Sequence, residues 1–259
     1  MLHSVLLAVW LSLSTTALAA PAAVDCTQAL LKEATDTYLT AQSNGKPLTG
    51  TIEYVENDKT AVIASGIQSQ ALKIDHNRSY YDTTACATYT EVVVADTKKP
   101  YVIGTQMHLT DGKISNVRTL VTTTGDWLFN ATGTLYYTSR EDWGVIPVES
   151  RDTRAVIQAA GDAYLNLFLD KKTVVPWGAP CARLEGGSYT GKGQPTDSCN
   201  VGVPSGLDLT NRRYVIDETV GSVDIFLNFG GKTGLPDSHE FRIEKGKIRF
   251  VHTITVQRK

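Results

Sequence analysis

The hydrophobic positions of this chain change period several times, and each change marks an element. Leu31, Ala34, Tyr38 and Ala41 recur at the three- and four-residue spacing of one helix face, and Ile157, Ala160, Tyr164 and Leu167 repeat it further on. Asn44-Gly45 is a stop signal for the first helix, and Asp152 is expected to be the N-cap of the second. Elsewhere the period is two, which predicts strands at residues 50–56, 71–74, 88–95 and 101–109, then at 214–220 and 222–229. In the last strand Ile248, Phe250, His252, Ile254 and Val256 fall on one side. Residues 176–204 are rich in Gly and Pro and read as a long insertion. The chain begins differently. Val5 to Leu13 is an apolar run too short to span a bilayer, and Ala17-Leu18-Ala19 supplies the small residues of a cleavage site. Residues 1–20 are therefore expected to be a signal peptide.

The pattern repeats. Asp36-Thr37-Tyr38-Leu39 returns as Asp162-Ala163-Tyr164-Leu165. Gln106-Met107-His108-Leu109, Gly112-Lys113-Ile114 and Val117-Arg118-Thr119-Leu120 return as Glu240-Phe241-Arg242-Ile243, Gly246-Lys247-Ile248 and Val251-His252-Thr253-Ile254. Each later stretch reads as a hairpin turning at Asp111-Gly112 or Lys245-Gly246. The units are residues 21–124 and 151–259, the second carrying the insertion, with a Trp- and Tyr-rich connector at 125–150 between them. A helix followed by an antiparallel meander, twice, is an α+β fold. A sheet curved around its helix forms a cone with an open mouth, a natural small-molecule site.

Charge and cysteine usage narrow the setting. The formal charge is -2, with no basic block, which argues against nucleic acid and against a polybasic membrane surface. After processing, the four cysteines are Cys26, Cys86, Cys181 and Cys199. A secreted or endomembrane-lumen protein would oxidise them to two disulfides, and spacing alone does not choose among three connectivities. Within the repeat, Cys181 and Cys199 staple the insertion, which leaves Cys26 for Cys86. Asn77-Arg78-Ser79 and Asn130-Ala131-Thr132 are glycosylation sequons. No contact with a membrane is expected once the leader is removed.

The order of elements resembles two NTF2-like (SnoaL, scytalone dehydratase) cones in tandem. A closer resemblance is to secreted or endomembrane fungal proteins carrying a domain of unknown function. It is carried by the run from Val175-Pro176-Trp177 through Cys181 to Gly186-Gly187, by Thr210-Asn211-Arg212-Arg213-Tyr214-Val215-Ile216-Asp217-Glu218, and by Pro236-Asp237-Ser238-His239-Glu240-Phe241-Arg242. Relatives of that family look like the hetero-Diels–Alderases that make tropolone sesquiterpenoids. No catalytic motif transfers with the resemblance.

Familiar chemistry motifs are missing: there is no G-x-S-x-G, H-E-x-x-H, P-loop or dinucleotide fingerprint, and Gly230-Gly231-Lys232-Thr233 reads as a turn. No metal site and no cofactor are expected. What remains is polar groups on apolar faces. His252 is either an acid–base group or a structural histidine with satisfied nitrogens. Arg118, its repeat equivalent, either binds an anionic or phenolate oxygen or pairs with a carboxylate such as Asp36. Tyr38 and Tyr164 each offer a hydroxyl at the floor of a cone, or simply pack there. Asp162 orients His252 or Tyr164, or sits at the solvated edge. Trp177 lids the second cone or pins the insertion, and Phe250 shares the His252 side. Asp237-Ser238-His239 is expected to be a turn and a strand start, because three consecutive strand residues do not converge. Arg212, Arg213 and Arg242 are expected to pair across strands with Asp217, Glu218 and Glu240.

These readings favour a cofactor-free cyclase, isomerase or dehydratase of fungal secondary metabolism, of the hetero-Diels–Alderase type among others, with His252, Arg118 and Tyr164 catalytic. Tyr38, Trp177, Phe250 and Asp162 would bind the substrate, a small hydrophobic molecule. The alternative is a secreted protein that binds such a molecule without reacting. A homodimer is compatible with either.

Overall fold

The computed structural model describes residues 24–257. The expected signal peptide lies outside the described residues. The first half runs α1 (Gln28–Asn44), β1 (Glu53–Glu56), β2 (Lys59–Thr60), β3 (His76–Asp82), β4 (Ala87–Val94), β5 (Tyr101–Thr110) and β6 (Lys113–Thr122). A short helix, α2 (Ala131–Thr138), lies in the connector. The second half runs α3 (Arg154–Asn166), β7 (Trp177–Glu185), β8 (Ser188–Tyr189), β9 (Leu209–Asp217), β10 (Ser222–Phe229), β11 (Leu235–Glu244) and β12 (Lys247–Thr255).

The two six-stranded sheets have the same order, β2-β1-β6-β5-β4-β3 and β8-β7-β12-β11-β10-β9. They also share register. Gln106 pairs with Arg118 as Glu240 pairs with His252, and each hairpin carries a bulge at the equivalent step, His108/Leu109 and Arg242/Ile243. Both hairpins turn on two residues of positive φ, Asp111 (51°) with Gly112 (73°) and Lys245 (53°) with Gly246 (69°). That is the primed-turn shape whose twist matches the strands. The repeat read from sequence is thus a repeat of structure.

Several local expectations are corrected. The sheets are not pure antiparallel meanders, since β1 lies parallel to β6 and β7 parallel to β12. Residues 71–74 form no strand; the edge strand is β3, just after them. β7 falls inside the supposed insertion. Its Gly178 and Pro180 read as loop because the register skips from Trp177 opposite Ile248 to Ala182 opposite Phe250, which lifts the residues between them off the ladder. The N-cap of α3 is Thr153, while Asp152 accepts a hydrogen bond from the backbone of Gly246 at 2.8 Å. The arginine pairs also differ: Arg212 binds Asp162, Arg213 binds Asp58 and Arg242 binds Glu244.

The sheets pack back to back, with α1 and α3 on the outer faces. Tyr80, Tyr89 and Leu120 of the first sheet meet Phe226, Phe250 and Ile254 of the second, with Trp143 of the connector between them. On the outer face of the second sheet, Ile157 and Tyr164 of α3 pack on Phe241, Ile243 and Val251. Full burial of each large apolar side chain contributes about 1.5–3 kcal/mol. Gly161 allows the close approach of α3, because a Cβ there would lie 3.0 Å from Ile225 Cδ1. Cys26 bonds Cys86 and Cys181 bonds Cys199, the pairing expected from the repeat. Two disulfides, with no described helix long and apolar enough to cross a membrane, are compatible with a secreted or lumenal protein.

Candidate functional site

Alternate residues of β11 and β12 serve different neighbours. Phe250, Ile254 and Val256 face the first half, and His252 goes with them. Phe241 and Val251 face α3, and Asp237, His239, Thr253 and Thr255 share that side. His252 and Tyr164 therefore stand on opposite faces of the sheet, which corrects the expectation of one cavity holding both. Alternation was read correctly along β12, but the helix was assigned to the wrong face.

His252 enters a buried ionic cluster that joins the halves. Its Nε2 lies 2.5 Å from Glu141 Oε2, and its Nδ1 lies 3.0 Å from Arg78 Nη2. Arg78 also bonds Glu240 at 2.8 and 3.2 Å, Glu91 at 3.3 Å, Thr138 and Tyr80, and its guanidinium lies over the Trp143 ring. Burial pulls the imidazole pKa down, but the Glu141 charge and hydrogen bond outweigh it and push it up to about 10. Burial raises the Glu91 carboxyl, but the Arg78 charge together with the hydrogen bond and charge of His252 outweighs it and lowers the pKa to about 2. Glu91, Glu240 and His252 are close enough to form a metal-ligand set, yet the Arg78 guanidinium already occupies the place of a cation among them.

The other face of the second sheet holds a different group. Asp237, Ser238 and His239 all lie within β11, not in a turn. Ser238 points to the first half and donates to Asp224 at 2.5 Å, while Asp237 and His239, two apart, share the α3 face. His239 Nδ1 lies 2.5 Å from Asp237 Oδ1, and Asp237 Oδ2 accepts from Thr255 Oγ1 at 2.5 Å. In a neutral ring, a carboxylate at this distance places the proton on Nδ1 and the lone pair on Nε2. Among the described residues no hydrogen bond reaches Nε2. The His239 ring lies 5.6 Å from that of Tyr164, whose hydroxyl pKa is raised by burial against the lowering effect of the nearby Arg183 charge.

A cavity of about 310 Å³ opens beside this dyad. Phe168, Phe229 and Leu207 give it apolar walls, and His239, Arg183 and Thr253 give it polar ones. Arg183 Nη2 pairs with Glu185 at 2.5 Å, and its Nη1 donates to the Cys199 carbonyl at 3.3 Å. Arg183 Nε and Thr253 Oγ1 are buried without a partner. A buried Asp–His pair against an apolar cavity with convergent donors has the ingredients of proton transfer on a bound molecule.

The remaining candidates scatter. Trp177 packs edge-on against Tyr164 at 5.6 Å, and it is Trp127 that lines the cavity. Phe250 stacks on Trp143 between the sheets. Asp162 binds Arg212 at 2.7 Å and the Tyr214 hydroxyl at 2.9 Å, away from both His252 and Tyr164. Arg118 is partly exposed and pairs with Glu53 at 3.5 Å, whereas Asp36 pairs with Lys32. Tyr38 meets Thr105 at 2.9 Å inside the first half, where burial pushes its pKa up to about 12. Asn77 is exposed on β3, and Asn130 is exposed with its side chain capping α2. The signal that would have found the dyad is Asp-x-His at strand spacing opposite Thr253 and Thr255.

Residues 150–255 match the model of a family described as a domain of unknown function (DUF8021). That span contains α3, the second sheet, and Tyr164, Arg183, Asp237, His239 and Thr253. No curated protein and no solved structure matches the chain.

Proposed function

We propose that each half is an NTF2-like cone, and that the second binds a small hydrophobic, oxygenated molecule and moves a proton on it. This is the work of a cofactor-independent isomerase, dehydratase or cyclase. The observation that carries the reading is the His239–Asp237 dyad, its Nε2 unpartnered, at the wall of a 310 Å³ cavity. Asp237 and Thr255 hold the imidazole in one tautomer and orientation, so that Nε2 can accept a proton from a bound substrate and return it. Phe168 and Phe229 exclude water and hold the substrate in one pose, which itself lowers the barrier. The resemblance to fungal hetero-Diels–Alderases fits the same division of labour, with the cone fixing a reactive conformation and the dyad adjusting its protonation. In this reading His252 braces the two halves, and the acid–base role passes to His239.

The apolar walls also suit a carrier that binds and does not react. One experiment separates the readings. The gene is deleted in its native host, complemented with wild type or His239→Gln, and the secreted metabolites are profiled. An oxygenated precursor should accumulate in the deletion and in His239→Gln, and wild type should clear it. Full complementation by His239→Gln would remove the base from the mechanism and favour the carrier.

A further inference from the structure

One wall of the cavity beside His239 is held far more loosely than the rest. Arg183, Phe229, His239 and Thr253 line it from strands β7, β10, β11 and β12, and the backbone N–H of Trp127 bonds the Thr255 carbonyl at 3.4 Å. Gly202 and Pro204 complete the lining from a strap, residues 201–206. Firm posts stand at the two ends of that strap. Cys199 is fully buried and disulfide-bonded to Cys181, and Leu207 donates its backbone N–H to the Phe168 carbonyl at 3.2 Å before β9 begins. Between the posts, no backbone N–H makes a hydrogen bond among the described residues.

Little keeps the strap closed. Val203 packs against the core that includes Phe168 and Leu209. Lys171 Nζ donates to the Val203 carbonyl at 2.9 Å and to the Pro204 carbonyl at 2.5 Å, and no carboxylate meets it among the described residues. Lys171 stands on a fixed base: Asp170 Oδ1 accepts from the Lys172 N–H at 2.9 Å, and the Asp170 carbonyl accepts from the Thr173 N–H at 3.0 Å. Gly202 and Gly206 flank Val203-Pro204-Ser205 with φ of 61° and 76°. A Cβ at either would meet nothing within 4 Å, so glycine stands there for its backbone freedom and not for room. A segment with few buried contacts and solvent-exposed hydrogen bonds opens at low cost while the sheet beneath it stays closed.

We propose that residues 201–206 are the door of this cavity, hinged at Gly202 and Gly206 and latched by Lys171, and that a small hydrophobic molecule enters and leaves through it. The role rests on the reading of the cavity as a binding site. Opening lifts Val203 off its core and leaves the six strands of the second sheet in place. Lys171 does not line the cavity, so its two hydrogen bonds are made whether the cavity is empty or filled. The latch therefore raises the barrier to passage in both directions and leaves affinity alone.

The test uses the full disulfide-bonded chain and N-phenyl-1-naphthylamine, a neutral apolar dye that fluoresces out of water. Stopped-flow mixing reads its association and dissociation rates, and equilibrium titration reads Kd. Lys171→Met should raise both rates about fivefold, the worth of one net hydrogen bond, with Kd unchanged. Lys171→Arg, which keeps two donors, should restore the wild-type rates. Lys171 is exposed, so both variants should fold. Unchanged rates in Lys171→Met overturn the door, and a rise in both rates with Trp127→Ala would then show that the dye passes Trp127 instead. A change in dissociation alone also overturns it, because Lys171 would then act on the bound dye and not on its passage. Failure of the dye to bind the wild type would sink the cavity as a hydrophobic site and the door with it. Binding with unchanged rates in Lys171→Met sinks the door alone.

Discussion

In the first half, the helix tyrosine Tyr38 meets Thr105 at 2.9 Å, and Thr105 meets Thr119 at 3.1 Å, a chain of neutral hydroxyls. In the second half, the equivalent positions are Tyr164, His239 and Thr253. Beside them Ile103 and Val121 pair across the first sheet where Asp237 and Thr255 pair across the second. Tyr54 and Glu56, the counterparts of Arg183 and Glu185, are turned to holding a plug. The Tyr54 hydroxyl donates to Glu56 at 2.5 Å, and Glu56 accepts from the Ile67 backbone at 2.7 Å. Gln42 donates to the carbonyls of Ile67 and Gln70, which ties the two 3-10 turns of residues 63–69 into the cone. Gly66 is needed there, since a Cβ would come within 2.6 Å of Glu56 Oε2 and 2.7 Å of the Tyr54 ring. At the helix-register equivalent of Gln42 the second half has Phe168, which lines the cavity. One backbone plan thus supports a filled interior and a hollow one. Stability needs only the packed sheets and helices, so the second interior is free to keep a cavity and a buried dyad.

Exchanging equivalent residues should break this contrast. His239→Thr, which copies Thr105, should lower conversion of the oxygenated precursor by about 10²–10⁴-fold with the fold retained, as metabolite profiling of the complemented deletion reads. Thr105→His added to that variant should restore none of the conversion, because the plug leaves no room for a substrate. At the interface, Arg78 and Arg213 hold equivalent register positions opposite Glu91 and Phe226. Arg78→Leu should cost about 3–5 kcal/mol in urea unfolding, since it strands buried carboxylates. Arg213→Leu, which loses only a partly exposed pair with Asp58, should cost about 0–1 kcal/mol. Equal costs would mean that the buried cluster does not brace the halves.

The disulfides extend the comparison. Cys26–Cys86 spans 60 residues and Cys181–Cys199 spans 18, so their removal as serine pairs should cost about 4 and about 3 kcal/mol. Only the second should also lower conversion of the precursor, because the Cys199 carbonyl holds Arg183 at the cavity wall. The shallowest effect is that of pH. His252 is raised from 6.5 to about 10, so its contribution is full below about 6.5 and is lost as pH rises through about 10. Stability should fall over that window by no more than about 1.4 kcal/mol per pH unit. His252→Gln should flatten the slope. The equivalent first-half pair, Gln106 and Arg118, contains no histidine.

Much of the architecture was legible. Tyr38 and Tyr164 marked matching helix faces, and Gly112 and Gly246 marked matching hairpins at a constant offset. Cys181 and Cys199 marked a bridged segment. The strand β7 was not legible, because Gly178 and Pro180 carry a loop signature and its ladder partner, β12, lies about seventy residues away in sequence. The dyad was half legible. Period two correctly separates Ser238 from its neighbours, and the same rule places Asp237 and His239 together.

The sequence by itself determined the repeat, through it the disulfide pairing, and the alternation of side chains along β11 and β12, because a recurring pattern and a period of two are both written in local residue order. Which face of β12 meets α3 was decided only by the tertiary structure. Both faces of the second sheet are apolar enough to be buried, one by a helix and the other by a second sheet, and local pattern gives the two the same signature. That packing sent His252 into the ionic cluster with Arg78 and Glu141, and it brought His239, Thr253 and Arg183 to the cavity.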